Sequence, residues 1–312
     1  MTAKMLDGRA LAKSVKARVK EEAASFQREQ GIAPTLALVR AGEDPASVSY
    51  AKMIKRTCEQ VGVAFQSWVL PMDVSEPEMI DRVRELNADT GVHSVIIQKP
   101  MPKGINDAAV VEALEPVKDV DGVHPLNAGR LAQAAFVDRP QDIGPYYVPS
   151  APLAGLEILK HYGIGIDGRR AVVVGASPLV GKPTALLLVQ HWATVTICEL
   201  HTNPLYEMTR EADILCSATG VAHLITAEMV KPGATVLDFG FARLGGEWVG
   251  DVDFEAVKEV ASAITPVPGG IGPMTNVMLM SKVLEAARRQ ARFGMQFTVS
   301  LAPSRVPHHA AG

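Results

Sequence analysis

The chain has 312 residues, 47% of them hydrophobic and 21% charged, which suits two domains of ordinary size with a sizeable core. A formal net charge of −3 excludes the broad basic field of a nucleic-acid binder and the charge excess of a disordered chain. Three scattered cysteines, Cys58, Cys198 and Cys216, exclude a disulfide framework or a CxxC metal site and read as reduced core thiols.

The N-terminal MTAKMLDGRA carries charges where a signal peptide needs an apolar stretch, and no run of about eighteen apolar residues follows that could span a membrane. The cytoplasm is the expected compartment. Residues 7–30 have helical spacing and an Ala/Lys/Glu-rich composition. TLALVR at 35–40 reads as a buried strand. Asp44 or Ser47 begins the next helix, with Pro45 tolerated in its first turn. AFQSWVL at 64–70 is a second strand, 76–89 a helix, and HSVIIQ at 93–98 a third strand. This β-α-β order implies parallel strands with right-handed crossovers. The Pro-rich stretch 136–150 marks a domain boundary. Beyond it the alternation restarts with AVVVG at 171–175, a helix through ALLLVQHW, ATVTIC at 193–198, ADILCSA at 212–218 and ATVLDFG at 234–240, four βα units of a doubly wound sheet. A last helix runs from about Thr275 to Arg292, and the final twenty residues read as a frayed tail.

The strand AVVVG leads into Gly175-Ala176-Ser177-Pro178-Leu179-Val180-Gly181-Lys182-Pro183 and then a helix. Small residues let such a turn approach a pyrophosphate, which a helix N-terminus favours electrostatically. This is not a full GxGxxG, since only Gly175 and Gly181 remain, so an ordinary glycine-rich βα turn is the competing reading. Glu199, at the end of the following strand, stands where an acid accepts hydrogen bonds from the adenosine ribose and would repel a 2′-phosphate. That favours NAD over NADP; a solvent-exposed loop glutamate is the alternative. No arginine lies beside it, although His201 is close.

In the first half, Tyr50 and position 54 lie one turn apart on one helical face. Gln98 ends a strand, where α/β proteins place ligands, and Asp121 lies in the polar turn Lys118-Asp119-Val120-Asp121-Gly122-Val123-His124-Pro125. Taken singly, these also read as a surface tyrosine, a strand-end amide and an Asx turn. No metal constellation stands out: His124 and His201 are isolated, and His308-His309 sit in the tail.

Together the motifs resemble the bifunctional methylenetetrahydrofolate dehydrogenase/cyclohydrolase family. The resemblance runs from about Asp7 to Ala287 and rests on six segments: Asp44-Pro45-Ala46-Ser47…Tyr50, Gln98-Lys99-Pro100-Met101-Pro102, Lys118-Asp119-Val120-Asp121-Gly122, the 175–183 loop, Gly250-Asp251-Val252, and Thr265-Pro266-Val267-Pro268-Gly269-Gly270-Ile271-Gly272-Pro273-Met274-Thr275. It implies an N-terminal α/β folate-binding catalytic domain at 1–147. A Rossmann-like NAD(P)-binding domain at 148–280 would follow, then a C-terminal helix at 281–295 returning to the first domain and a disordered tail at 296–312. It also implies a folate site between the domains, a tetrahydrofolate substrate and a homodimer. Tyr50 would stack on the folate, Gln98 would position the reacting groups and Asp121 would orient the pterin. Pro100, Pro268, Gly269, Gly270, Pro273 and Thr275 would line the substrate. Gly175, Ala176, Ser177, Val180, Gly181, Lys182, Pro183, Glu199, His201, Gly220 and Ile271 would hold the cofactor.

The sequence departs from the family at one chemically important place. The family pattern is Tyr-x-x-x-Lys, its lysine associated with the cyclohydrolase step, and here the stretch is Tyr50-Ala51-Lys52-Met53-Ile54. Isoleucine cannot move protons. Lys55 lies about 100° around the helix and Lys52 points nearly opposite, so neither substitutes. The expectation is oxidation of 5,10-methylene-tetrahydrofolate to the methenyl form, with hydrolysis weak or absent. The alternatives are an ordinary bifunctional enzyme yielding 10-formyl-tetrahydrofolate, and a non-catalytic paralogue. Pro149-Ser150-Ala151-Pro152 replaces the usual Pro-Cys-Thr-Pro, with the next glycine one place late at Gly155. Lys99 and Ala242 also differ from the family's residues.

Overall fold

The computed structural model describes residues 2–137 and 145–293. The predicted tail at 296–312, and the middle of the predicted boundary segment, lie outside the described residues.

A two-residue strand, β1 (Lys4–Met5), opens the chain, and Asp7 then caps α1 (Gly8–Gln30) by accepting the Arg9 amide at 2.8 Å. Gly31 ends α1 in the left-handed conformation, φ 74°. β2 (Thr35–Ala41), α2 (Pro45–Val61), β3 (Ala64–Leu70), α3 (Glu76–Ala88) and β4 (Ser94–Ile97) follow. Asp44 caps α2 through the Ser47 amide with Pro45 in the first turn, and Ser75 and Glu78 form a capping box on α3. The three strands form a parallel sheet in the order β3-β2-β4. All seven residues of the central β2 are buried, which is why it reads as a continuous apolar run rather than an alternating one. The short helices α4 (Asp107–Glu112) and α5 (Pro125–Gln133) complete this half.

Helix α6 (Ser150–His161) leads into the second half: β5 (Arg170–Val174), α7 (Gly181–Gln190), β6 (Thr194–Cys198), α8 (Leu205–Thr209), β7 (Ile214–Ser217) and β8 (Thr235–Asp238). Then come the hairpin β9 (Ala242–Leu244) and β10 (Glu247–Val249), the single turn α9 (Phe254–Val257), β11 (Ala263–Ile264) and α10 (Ile271–Phe293). The second sheet is parallel throughout, in the order β1-β11-β8-β7-β5-β6. The α/β class and the doubly wound second half are as the sequence implied.

Three features differ from expectation. Residues 4–5 pair with β11, so the N-terminus joins the second sheet and not the first. The last helix starts at Ile271, ahead of both Thr275 and 281, because Ile271, Met274, Val277 and Met278 already bury an apolar face against α6 and its neighbours. Helix α6, which begins at the last residue of the stretch read as a boundary, was not anticipated. Its Gly155 leaves room for the Phe239 ring, which a Cβ would meet at 2.6 Å.

Helix α10 enters two hydrophobic cores in succession. Its first turns pack with Leu131, Ala154, Ile158 and Leu188; Leu279, Met280, Val283 and Ala286 pack with Ile54, Cys58, Val61 and Tyr147. Met280 is fully buried, with its sulfur 3.4 Å from that of Cys58. Met280→Ala should cost about 2–5 kcal/mol through the cavity it leaves, seen as a lower midpoint in urea unfolding.

Candidate active site

Two sets of residues meet where α10 leaves the second sheet. In the nucleotide-binding half, Gly175 ends β5 at φ 99°, and a Cβ there would lie 2.4 Å from the Ala218 carbonyl oxygen. Gly181 opens α7, and a Cβ on it would lie 1.8 Å from the Gly175 carbonyl oxygen. Both glycines are therefore required by a loop folded back on itself. Ser177 staples that loop by accepting the Val180 and Gly181 amides at 3.2 and 3.4 Å. No side chain at Val180 caps α7; around its N-terminus Lys182 is exposed, Ala176 half-buried and Pro183 buried. This arrangement fits a dinucleotide pyrophosphate. Across the cradle, one oxygen of Glu199 accepts the Ala176 amide at 2.7 Å and the other the Leu200 amide at 3.1 Å. Glu199 thus ties the loop to the end of β6 while remaining exposed. His201 and Gly220 are exposed at the same edge, whereas the Ile271 side chain is buried in the core and leaves only its backbone to a ligand.

Behind the cradle lies a buried acidic pair that the sequence reading did not assign. Asp238 accepts the amides of Gly240, Asp251 and Val252 at 2.8, 3.0 and 3.0 Å. Asp251 accepts the Ser217 hydroxyl at 2.9 Å and the Thr219 amide at 2.6 Å. Burial pushes the Asp238 carboxyl up to about 7 against those three donors, and neighbouring Asp251 adds to the effect. The pair holds the ends of β7 and β8 beside the cofactor loop. The glycines at 240 and 250 are its only sequence signal, since a Cβ at either would strike a carboxylate.

In the first half, Gln98 extends β4, and its side-chain amide donates to the Ser47 carbonyl at 2.9 Å. Its Oε1 is buried with no partner among the described residues, an acceptor left for a ligand. The neighbouring Lys99 pairs on the surface with Asp107 at 2.8 Å, so this departure from the family points away from the site, and Pro100 is exposed. In the 118–124 turn the Asp119 carboxylate is spent on the Val123 and His124 amides and the Asn127 side chain. Asp121 remains for other use. Gly122, at φ 67°, lets the Tyr147 carbonyl approach to where a Cβ would lie only 2.5 Å away. Burial raises the Asp121 carboxyl, and Lys282 is the charge that opposes this. Burial raises the Tyr50 hydroxyl, and the Asp121 carboxylate raises it further.

The loop after β11 joins the two sets. Thr265 accepts the Asp238 amide at 2.8 Å, and the Gly270 amide reaches Pro266 at 2.7 Å. Arg9 donates to the Pro268 carbonyl at 3.0 Å and the Gly8 amide to Gly269 at 3.0 Å, pinning the loop to the start of α1. Pro273 is half-buried, and Thr275 donates its hydroxyl to the Ile271 carbonyl at 3.1 Å within α10. One residue on, Asn276 reaches Met53 of α2, which brings this loop beside Tyr50. The structure therefore brings Tyr50 and Asp121 together, sets Gln98 against the first turn of α2, and lays the start of α10 beside that helix, forming one seam.

Ile54 is wholly buried and takes no part in the polar surface of the seam. Lys52 is exposed, and Lys55 is exposed beside Glu59 at 4.0 Å. Neither reaches inward, as their helical angles implied. The cation at the seam is Lys282. Its sequence signal was a lone lysine on the apolar face of MLMSKVL, four residues after Met278 and three after Leu279. Among the described residues no His, Cys, Asp and Glu cluster could hold a metal ion.

Known proteins resemble this chain over most of its length. Residues 6–121 match the family model described as tetrahydrofolate dehydrogenase/cyclohydrolase, catalytic domain, and residues 149–291 the model for its NAD(P)-binding domain. A relative from Roseiflexus castenholzii, named bifunctional protein FolD, is 47% identical over 93% of this chain and 98% of its own. The crystal structure of the bifunctional enzyme FolD, methylenetetrahydrofolate dehydrogenase/cyclohydrolase, from Campylobacter jejuni superposes with a TM-score of 0.87 at 37% identity, covering 92% of this chain and 99% of that one. The Trypanosoma brucei dehydrogenase-cyclohydrolase, solved with NADP cofactor and inhibitor, gives 0.86 at 33% identity over 94% and 99%. Gly181→Ala, which forces the cradle open, should weaken nucleotide binding by at least about tenfold in a fluorescence titration while the far-UV spectrum stays native.

Proposed function

The chain belongs to the tetrahydrofolate dehydrogenase/cyclohydrolase family, and from that premise we propose that it oxidises 5,10-methylene-tetrahydrofolate to 5,10-methenyl-tetrahydrofolate. The observation that carries the reading is the seam itself, where Tyr50, Gln98 and Asp121 face the pinned 268–275 loop beside a glycine cradle for NAD(P). The oxidised nicotinamide, when bound, supplies the hydride acceptor. Everything else is positioning. Tyr50 offers an aromatic face to the folate, Gln98 an unpaired acceptor and Asp121 a carboxyl for the pterin edge. The lone pairs of N5 and N10 expel the hydride from the bridging carbon, so no protein nucleophile is needed, and alignment in a dry seam does the rest.

For hydrolysis, the names of the relatives support the bifunctional alternative over the loss expected from Ile54. Position 54 itself supplies no base, being buried among apolar side chains. The unpaired Gln98 acceptor and the enclosed Asp121 argue against a non-catalytic paralogue, which needs neither.

Glu199 supports NAD over NADP, since its carboxylate stands at the end of β6 where a 2′-phosphate would come. A homodimer would form along the free edge of β6, where Ile197, Leu200 and Tyr206 are exposed. Three free, buried cysteines suit a reducing compartment such as the cytoplasm. Sedimentation equilibrium should give about twice the 33.3 kDa chain mass; a monomer would refute the dimer. In an assay of reduced cofactor, kcat/KM should be higher with NAD, and Glu199→Ser should shift the ratio towards NADP by about tenfold. No reduction of either cofactor by methylene-tetrahydrofolate would refute the function.

A further inference from the structure

Among the described residues two lysines are buried. Lys118 donates to the Leu86 and Asp89 carbonyls at 2.8 and 2.7 Å and so closes the C-terminal end of α3. That role is structural and complete. Lys282 is different. It is 3% exposed and donates to the Val148 carbonyl at 2.8 Å, a bond that uses one of the three N–H groups of an ammonium. Burying an ammonium costs stability unless opposite charges and hydrogen bonds compensate, and an apolar side chain would pack on this face of α10 without that cost.

The position of Lys282 on the helix fixes where its amine stands. Met278, four residues back, packs in the core of the second half. Leu279, three residues back, packs in the first-half core that holds Ile54, and Val283 does the same. Lys282 therefore projects along the seam between the two cores. Asp121 is the opposite charge that acts on it most, followed by Asp119 of the same turn and Glu285 of its own helix. Asp121 in turn acts on Tyr50 from α2. Tyr50, Asp121 and Lys282 thus form one electrostatically linked group at the edge of the folate seam. Helices α2 and α10 share the core that holds Ile54.

Resting on the folate reading above, we propose that Lys282 is the catalytic lysine for hydrolysis of the methenyl product, reaching from α10 the pocket that position 54 would otherwise serve. Water adds to the methenyl carbon, forming a C–O bond, while the neutral amine of Lys282 accepts one water proton. The C–N5 bond then breaks with its electron pair on N5, and the Lys282 ammonium returns that proton to N5. The remaining hydroxyl proton leaves to solvent as the formyl C=O forms on N10. The sum is methenyl-folate plus water giving 10-formyl-folate plus one proton, with Lys282 restored. Burial brings the Lys282 amine down to about 8 against the pull of Asp121, so both of its protonation states are accessible near neutrality.

The test follows two reactions in parallel: reduced cofactor formed from methylene-tetrahydrofolate, and loss of methenyl-tetrahydrofolate absorbance with no nicotinamide present. The wild-type protein should hydrolyse methenyl-folate faster than buffer, with a rate that rises through a limb near pH 8. Lys282→Met should lower the ratio of hydrolysis to dehydrogenation by about a hundredfold and abolish the limb. Lys282→Arg keeps the charge and the packing but cannot release a proton, so it should fail in the same way if the methionine variant folds poorly. Adding Ile54→Lys to Lys282→Met should recover at least part of the hydrolysis. Wild-type hydrolysis no faster than buffer, or an unchanged ratio and limb in a folded Lys282 variant, overturns the proposal and leaves the dehydrogenase reading intact. Absent dehydrogenation in the wild type would overturn that reading instead, and the hydrolysis assay would still decide on Lys282.

Discussion

Helix α10 fills two cores with one rod. Ile271, Met274, Val277 and Met278 pack against α6 and α7, and Leu279, Met280, Val283 and Ala286 continue into the core beneath α2. A helix rises about 1.5 Å per residue, so the change from one core to the other happens within a single turn. The two halves meet at that turn, and so does the polar seam. The loop before α10 is pinned to the start of α1 through Gly8 and Arg9, which fixes its approach from the other end. Once α10 is seated, the positions of Tyr50, Asp121 and the 268–275 loop follow.

The seam concentrates ionisable groups that are costly to bury. Asp121, Lys282 and Tyr50 each lose solvation there, and each is shifted towards its neutral form by that loss. Two other buried carboxylates are tied up by backbone amides. Asp119 accepts from two amides and the Asn127 side chain, and Asp238 accepts from three amides. Those carboxylates shape loops. Asp121 and Lys282 use less of their hydrogen-bonding capacity, which is what marks them as candidates for chemistry.

The cofactor side uses backbone where the folate side uses side chains. Its cradle depends on the absence of Cβ atoms at 175 and 181 and on an uncapped α7, with Glu199 as a brace between loop and strand. That brace is also a carboxylate, so it holds the loop and adds negative charge at the end of β6. Glycine geometry thus shapes the cradle, and one acid ties it to the neighbouring strand.

The sequence by itself determined the alternating α/β plan, the cradle and the family. Those depend on local signals, namely apolar runs such as TLALVR, glycines that must be glycines, and Asp44 and Ser75 at helix starts. It also determined that Lys52 and Lys55 point away, because helical periodicity alone fixes that. It did not show the two-residue strands β1 and β11, whose formation depends on partners distant in the chain. Nor did it show α6 just after the Pro-rich stretch. Only the tertiary structure decided the fate of positions 54 and 282. The loss of a lysine was legible as Ile54. The presence of another amine at the same seam was not: a lone lysine in MLMSKVL marks an apolar helix face, but only the packing of α10 between two cores buries that lysine and sets it against Asp121.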